Sequence, residues 1–271
     1  MSTQTLADWL AAEPFTLALS AGFFGFYAHA GVIEALEESG LRPSRVVGSS
    51  AGAIAGGVWA AGVPATGLRE FLEDMSLADF WDPSWHEFRP SIFVRRRLAG
   101  NTTRDPGTAL GILRGRKFDA LLAEALAGVE RIENCKVRFA AVTHELRSNE
   151  TVVHERGPLR PAIRASAALP VLFGPVRIDG RLHADGGIGD RPAFRALAPA
   201  ERTLYHHLPH RSNWPRISGN EVGERRCTAT RRVIAIDDLP RVHPGALARG
   251  RKAHALAREE TLRSLERPLI G

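Results

Sequence analysis

Cysteine is scarce in this chain, and nothing in it is long and apolar enough to cross a bilayer. Cys135 and Cys227 are the only two cysteines among 271 residues. They form no motif, which suits a reducing compartment with packing or surface thiols. No apolar run approaches the about 18 residues that a membrane span needs. Met1 to Pro14 carries no Lys or Arg ahead of its short apolar patch, so no secretory signal is expected. The expected location is cytoplasmic, at most peripheral to a membrane. Lysine is scarce too. Lys117, Lys136 and Lys252 stand alone in a set of 36 basic residues that outnumber 30 acidic ones for a net charge of +6. An arginine-dominated surface fits an anionic partner such as a phospholipid headgroup or an anionic membrane surface, because guanidinium binds phosphate as a bidentate fork. Nucleic acid would satisfy the charge, but zinc-finger spacing, an RNA-binding aromatic signature and basic-region heptads are all missing, so it is an unlikely partner.

What is present centres on Val46-Val47-Gly48-Ser49-Ser50-Ala51-Gly52, a Gly-x-Ser-x-Gly pattern. Two β-branched residues precede it and the small-residue run Ala53 to Ala61 follows, so the order is strand, sharp turn, helix. That is the context of a nucleophile elbow. The reversal forces Ser50 into a strained backbone conformation, and Gly48 and Gly52 leave room where strand and helix approach. The Ser50 hydroxyl is then lifted beside a helix N-terminus, whose partial positive charge favours a developing anion. A phosphate-binding loop would need a Lys after these glycines, and none follows.

Hydrophobic content of 44% with 24% charged residues suits a globular chain that buries a core. A short helix or arm anchored by Trp9 and Leu10 is expected over 1–14, then a buried strand over Phe15 to Ser20 and a greasy glycine-bearing loop, Ala21-Gly22-Phe23-Phe24-Gly25-Phe26. Tyr27 to Ser39 reads as an amphipathic helix capped by Gly40, and Arg45 to Gly48 as the second strand. This β–loop–α–β–elbow–α unit implies a parallel sheet with helices on its faces. Further helices are predicted over the end of Gly62 to Asp79, over Phe118 to Ala127, and over Pro161 to Ala168. Strands are predicted over Lys136 to Thr143 and Thr151 to Glu155. Phe80 to Arg97, rich in aromatics and ending in three arginines, reads either as loop-rich core or as a cap over an apolar substrate. Val176 to Ile178 and Arg181 to His183 alternate around Asp179-Gly180, a hairpin signal. Arg202 to Leu208 and Arg232 to Ile236 read as late strands, with a polar stretch around Pro215, Gly219 and Gly223 between them. A final Arg-rich helix is expected over His243 to Leu265. With no repeat, long linker or composition break, one domain over 1–271 is expected, its core motifs at about 15–194 and its C-terminal strands and helix at about 200–267.

A serine nucleophile needs a base. His206, His207, His210 and His243, paired with Asp185 or Asp190, are candidates for a triad, and no context selects one of them. The His206-His207-x-x-His210 spacing is interrupted by Pro209 and has no carboxylate in register, so no metal site is expected. Asp185 is more distinctive. It follows a hairpin strand and precedes Gly186 and Gly187, so backbone can approach its carboxylate closely.

These pieces together resemble the patatin-like phospholipase family. The likeness rests on the glycine-bearing loop after the first strand, the Gly48-to-Gly52 elbow, Ala165-Ser166-Ala167-Ala168-Leu169-Pro170-Val171-Leu172-Phe173, and Asp185-Gly186-Gly187-Ile188-Gly189-Asp190-Arg191-Pro192, in order, over Phe15 to Phe194. The resemblance implies a three-layer α/β/α fold with a mostly parallel central sheet, patatin-like or FabD/lysophospholipase-like, and no cofactor. It implies hydrolysis of phospholipid or other acyl esters by a Ser50–Asp185 dyad through an acyl-enzyme. The oxyanion hole would be backbone N–H groups of Ala21, Gly22, Phe23 and Ala51. Transfer of the acyl group to another acceptor would use the same acyl-enzyme. A departure from the family pattern lies in the loop, where Gly25 stands in place of the family's arginine and Phe23 in place of a glycine. That departure admits a non-catalytic lipid-binding relative as a further reading.

Overall fold

The computed structural model describes residues 4–83, 111–209 and 221–269. It is a mixed α/β fold with a central sheet flanked by helices. Helix α1 (Leu6–Ala12) opens on a capping box in which Thr5 and Asp8 each accept a hydrogen bond from the other's backbone N–H. Strand β1 (Thr16–Leu19) follows, then α2 (Phe26–Glu38), β2 (Arg45–Ser49), α3 (Ala51–Ala60) and α4 (Ala65–Asp74). The short strand β3 (Gly111–Leu113) leads to α5 (Arg116–Ala125), β4 (Arg138–Glu145), β5 (Glu150–His154) and α6 (Leu159–Ser166). Strands β6 (Val171–Phe173), β7 (Val176–Ile178), β8 (Arg181–Asp185) and β9 (Thr203–His207) come next. The short α7 (Glu221–Glu224), β10 (Arg231–Ala235) and α8 (Arg249–Glu266) complete the set.

The central sheet runs β10-β9-β1-β2-β4-β8-β7, with β5 also paired to β4. The five strands from β10 to β4 are parallel, and β5, β7 and β8 add antiparallel pairings. Strand alternation divides the core into two faces. Leu17, Leu19, Val46, Phe139 and Leu204 join the large cluster with α2, α3 and α8, whereas Ala18, Val47, Ala140, Val142 and Tyr205 form a smaller one with Ala193 and Ala196. Burial on both faces is why β1 and β2 read as continuous apolar runs. Glu37 links the helices by accepting from the Trp59 indole N–H at 2.7 Å and from the Ala65 amide at 2.9 Å.

The early elements fall where the sequence places them. The Asp179-Gly180 turn has positive φ at both residues (48° and 78°), as a tight type I′ hairpin demands. The final helix differs. It starts at Arg249 rather than His243, because Pro244 lies in a separate 3-10 turn over Pro244–Ala246. Of the proposed cap, Phe80, Trp81 and Pro83 are described; Trp85, Phe88, Phe93 and the arginine run lie outside the described residues, as do Pro215 and Gly219.

Candidate active site

Strand β4 acts as the ruler of the site. It pairs with β2 up to Ser49, opposite Val142, and with β8 from Asp185, opposite Thr143. Since β5 occupies the other edge of β4, β2 and β8 share one edge end to end. The chain reverses at the end of β2, so Ser50 emerges where β8 delivers Asp185. The Ser50 hydroxyl donates to Asp185 Oδ2 at 2.7 Å, and Asp185 Oδ1 accepts from the Gly187 amide at 2.8 Å.

Ser50 has φ 52° and ψ −114° and sits immediately before α3. This is the strained elbow the sequence predicts; for a residue other than glycine such a conformation costs about 1–3 kcal/mol. The close approach is equally real. A Cβ on Gly52 would fall on the Leu19 carbonyl, and one on Gly48 on the backbone of Gly52. A Cβ on Gly186 would likewise meet the Val142 carbonyl, and one on Gly187 the Ala21 side chain. A contact invisible to sequence reasoning holds the elbow from below. The buried Ser166 hydroxyl accepts from the Ser50 amide at 2.9 Å and donates to the Val142 carbonyl at 2.6 Å. Its position inside the family-like Ala165-to-Phe173 run was the available signal.

Asp185 is buried, and burial pushes its carboxyl up to about 6, against the opposing pull of its hydrogen bonds from Ser50 and Gly187. Desolvation is therefore the dominant influence, and it converts an ordinary carboxylate into a stronger proton acceptor.

The expected oxyanion donors separate. The Ala21 amide donates to the Arg191 carbonyl at 2.8 Å, so it is not free for a substrate. Gly22, Phe23 and Ala51 have no backbone N–H partner among the described residues. In this loop Phe24, at φ 53°, adopts the left-handed conformation.

Arg191, in the run from Asp185 to Pro192, ties this loop to the sheet. Its carbonyl takes the Ala21 amide. Its guanidinium donates to the Leu208 carbonyl and pairs with Glu224 at 2.7 Å. Leu208 in turn lies against Gly22 and Gly25, and its amide donates to the Ser20 hydroxyl at 2.9 Å. The loop that lacks an arginine of its own is thus held by one arriving after Asp185.

No histidine bonds to Ser50 or Asp185 among the described residues. His206 is buried against His29, Nδ1 to Nδ1 at 2.8 Å, and His29 Nε2 donates to the Ser20 carbonyl. Burial pushes His29 down to about 4 and His206 well below its usual value, so the pair is neutral. His207 lies beside Tyr205 and Glu224, His243 lines the cavity described next, and His210 is outside the described residues. Asp190 accepts from the Phe194 and Arg195 amides, capping a 3-10 turn over Phe194–Ala196. Among the described residues no group of His, Cys, Asp and Glu is placed to hold a metal ion.

Ser50 and Asp185 open on a cavity of about 830 Å³. Its walls are mainly apolar, with Phe24, Phe26, Ile54, Phe80, Leu172 and Phe173 among them, and Arg191, Arg241 and His243 supply polar groups. The greasy loop therefore provides wall and packing together, since the Phe24 ring packs at a tilt against Phe26 and Phe80 with centroids 5.4 and 5.6 Å apart.

A sequence profile of the patatin-like phospholipase family matches residues 17–198. The chain belongs to that family. It is 40% identical over 212 residues to an uncharacterized NTE family protein of Mycobacterium bovis, covering 78% of this chain and 51% of that protein. It is 28% identical over 185 residues to lysophospholipase NTE1 of Yarrowia lipolytica, covering 68% of this chain and 12% of the yeast protein. The chain spans about half the length of that mycobacterial relative. The crystal structure of VipD from Legionella pneumophila aligns over 93% of this chain and 67% of that one, with a TM-score of 0.52 at 16% identity, a likeness of fold.

Proposed function

We propose that this protein is a serine acyl hydrolase of lipid-like esters, with Ser50 as nucleophile and Asp185 as its general base. The observation that carries the reading is the 2.7 Å hydrogen bond from the Ser50 hydroxyl to a buried carboxylate at the floor of an apolar cavity. Family membership and the lysophospholipase relative support the substrate class.

Ser50 Oγ attacks the ester carbonyl carbon while Asp185 Oδ2 takes the hydroxyl proton. The carbonyl oxygen becomes an oxyanion facing the amides of Gly22, Phe23 and Ala51, at the positive end of α3. Collapse breaks the ester C–O bond, and Asp185 returns its proton to the departing alcohol. Water then attacks acyl-Ser50, Asp185 again removing a proton, and a carboxylic acid leaves with Ser50 restored. The apolar walls hold the acyl chain, and no helix among the described residues is long and apolar enough to cross a membrane.

The test is turnover of a series of acyl esters and lysophospholipids by the parent protein and by Ser50→Ala. The variant is expected to fold normally and to lose at least about 1,000-fold in kcat, since among the described residues Ser50 supplies the hydroxyl that is hydrogen-bonded to Asp185. Turnover retained by Ser50→Ala would refute the reading.

A further inference from the structure

Large apolar side chains that remain exposed are not scattered over this molecule. Among the described residues they are Phe23, Leu77, Trp81, Ile112, Leu146 and Val171. All but Leu146 belong to the segments that build or adjoin the wall of the cavity. The segments touch one another. The Phe23 ring meets Phe24 edge-on at 4.8 Å, and Phe24 reaches Phe80, which is followed by Trp81. Pro83 bridges to Leu113 in β3, and β3 pairs with β6, whose first residue is Val171. Phe173 at the other end of β6 stacks on Phe118, and both line the cavity. Phe23 reaches the cavity lining, whereas Leu77, Trp81, Ile112 and Val171 lie outside it, on the outer side of the segments that build the cavity. Exposed apolar groups gathered in one patch mark an interaction surface.

Backbone conformation singles out the same patch. Val171 has φ 73° and its side chain is 54% exposed. A β-branched residue at positive φ is a true outlier, and here the protein covers less than half of it. Asn or Gly would occupy the position without strain. A valine there exposes an apolar group to solvent in a conformation that disfavours it, which makes sense when the group is covered by something outside the chain.

Charge indicates what covers it. Directly after Ile112, Arg114, Arg116 and Lys117 are all exposed, and Lys117 Nζ donates to the Ala78 carbonyl, so these cations flank the apolar edge. Apolar groups with adjacent cations complement the boundary between acyl chains and anionic headgroups. We propose that Trp81, Ile112 and Val171, with Phe23 and Leu77 beside them, form the docking surface of this protein on an anionic lipid bilayer. An acyl chain leaving that bilayer would enter the cavity without crossing water. The inference rests on the cavity being the acyl site proposed above.

The test uses Ser50→Ala, so that binding is measured without turnover, with vesicles of phosphatidylcholine alone and of phosphatidylcholine mixed with phosphatidylglycerol. The protein is expected to co-sediment with the mixed vesicles more than with the neutral ones, and less at high salt. Adding Trp81→Ser, Ile112→Asn and Val171→Asn should weaken partitioning by about tenfold or more. In the Ser50 background the same three changes should leave hydrolysis of a soluble short-chain ester as it was. Val171→Asn alone guards against a folding defect: it should hold or raise Tm, because Asn tolerates positive φ, while still weakening vesicle binding. The proposal fails if Ser50→Ala ignores mixed vesicles, or if the triple change leaves binding intact. It fails too if the protein forms a dimer that these substitutions dissolve, which would assign the surface to a second copy of this chain. Failure of the hydrolase reading would show instead as an inert Ser50 towards soluble esters.

Discussion

Asp185→Asn is expected to abolish hydrolysis and, at neutral pH, to make the protein more stable. Both effects come from one cause. Burial raises the Asp185 carboxyl from 3.8 to about 6, so at pH 7 the folded protein holds an ionised group that its surroundings disfavour. A shift of that size corresponds to about 3 kcal/mol at most, held as the cost of keeping a base at the site. Asn keeps the shape and can still accept from the Gly187 amide, but it carries no charge and takes no proton. Loss of about 1,000-fold or more in kcat together with a higher Tm would match this account. Loss of activity with a lower Tm would make Asp185 a structural group instead.

The same shift fixes the pH dependence and its sign. The folded pKa lies above the unfolded one, so between about pH 4 and pH 6 the folded state binds more protons than the unfolded state. Stability contributed by this group therefore rises as pH falls through 6 and levels off below about 4. Activity runs the other way. The base must be ionised, so kcat/KM should fall about tenfold per pH unit below about 6. In Asp185→Asn the stability slope of this window should flatten, which thermal melts across the range would show.

Gly52→Ala is expected to have the second large effect. The added methyl meets the Leu19 carbonyl, carbon and Cβ, which are backbone and strand core and cannot swing aside. Overpacking against fixed atoms costs about 1–3 kcal/mol and displaces what can move, here the start of α3. Ser50 rides on that helix end, so its hydrogen bond to Asp185 should loosen and kcat should drop with stability. Gly56→Ala is the control. Its methyl meets the Val46 Cγ1 side-chain atom one turn further on, so it should lower Tm while affecting kcat less. Equal effects of the two on kcat would argue that the elbow does not depend on the close approach at Gly52.

Much of this was legible in the sequence because it is local. Two β-branched residues, a Gly-x-Ser-x-Gly turn and a run of small residues specify the elbow between Val46 and Ala61. Asp179-Gly180 specifies the hairpin that carries Asp185. What sequence could not give depends on side chains meeting across long separations. Ser166 reaches the Ser50 amide across 116 residues, and Arg191 meets Glu224 across 33. Asp82 accepts from the Gly115, Arg116 and Lys117 amides at the start of α5, a cap supplied from 33 to 35 positions away. The lack of an arginine in the loop was readable, and the loop's anchoring by Arg191 was not, because nothing local links the two. Ala21 was expected as an oxyanion donor from its place in the loop. Only the fold reveals that its amide is already engaged by the Arg191 carbonyl.

Reaction with a fluorophosphonate probe, followed by intact mass and a peptide map, tests the central claim most directly. The phosphonyl group mimics the tetrahedral intermediate, so labelling requires an activated serine and working oxyanion donors together. The account predicts one adduct, on Ser50, formed slowly or not at all in Asp185→Asn. Folded protein that takes no adduct, or takes one at another serine, would contradict it.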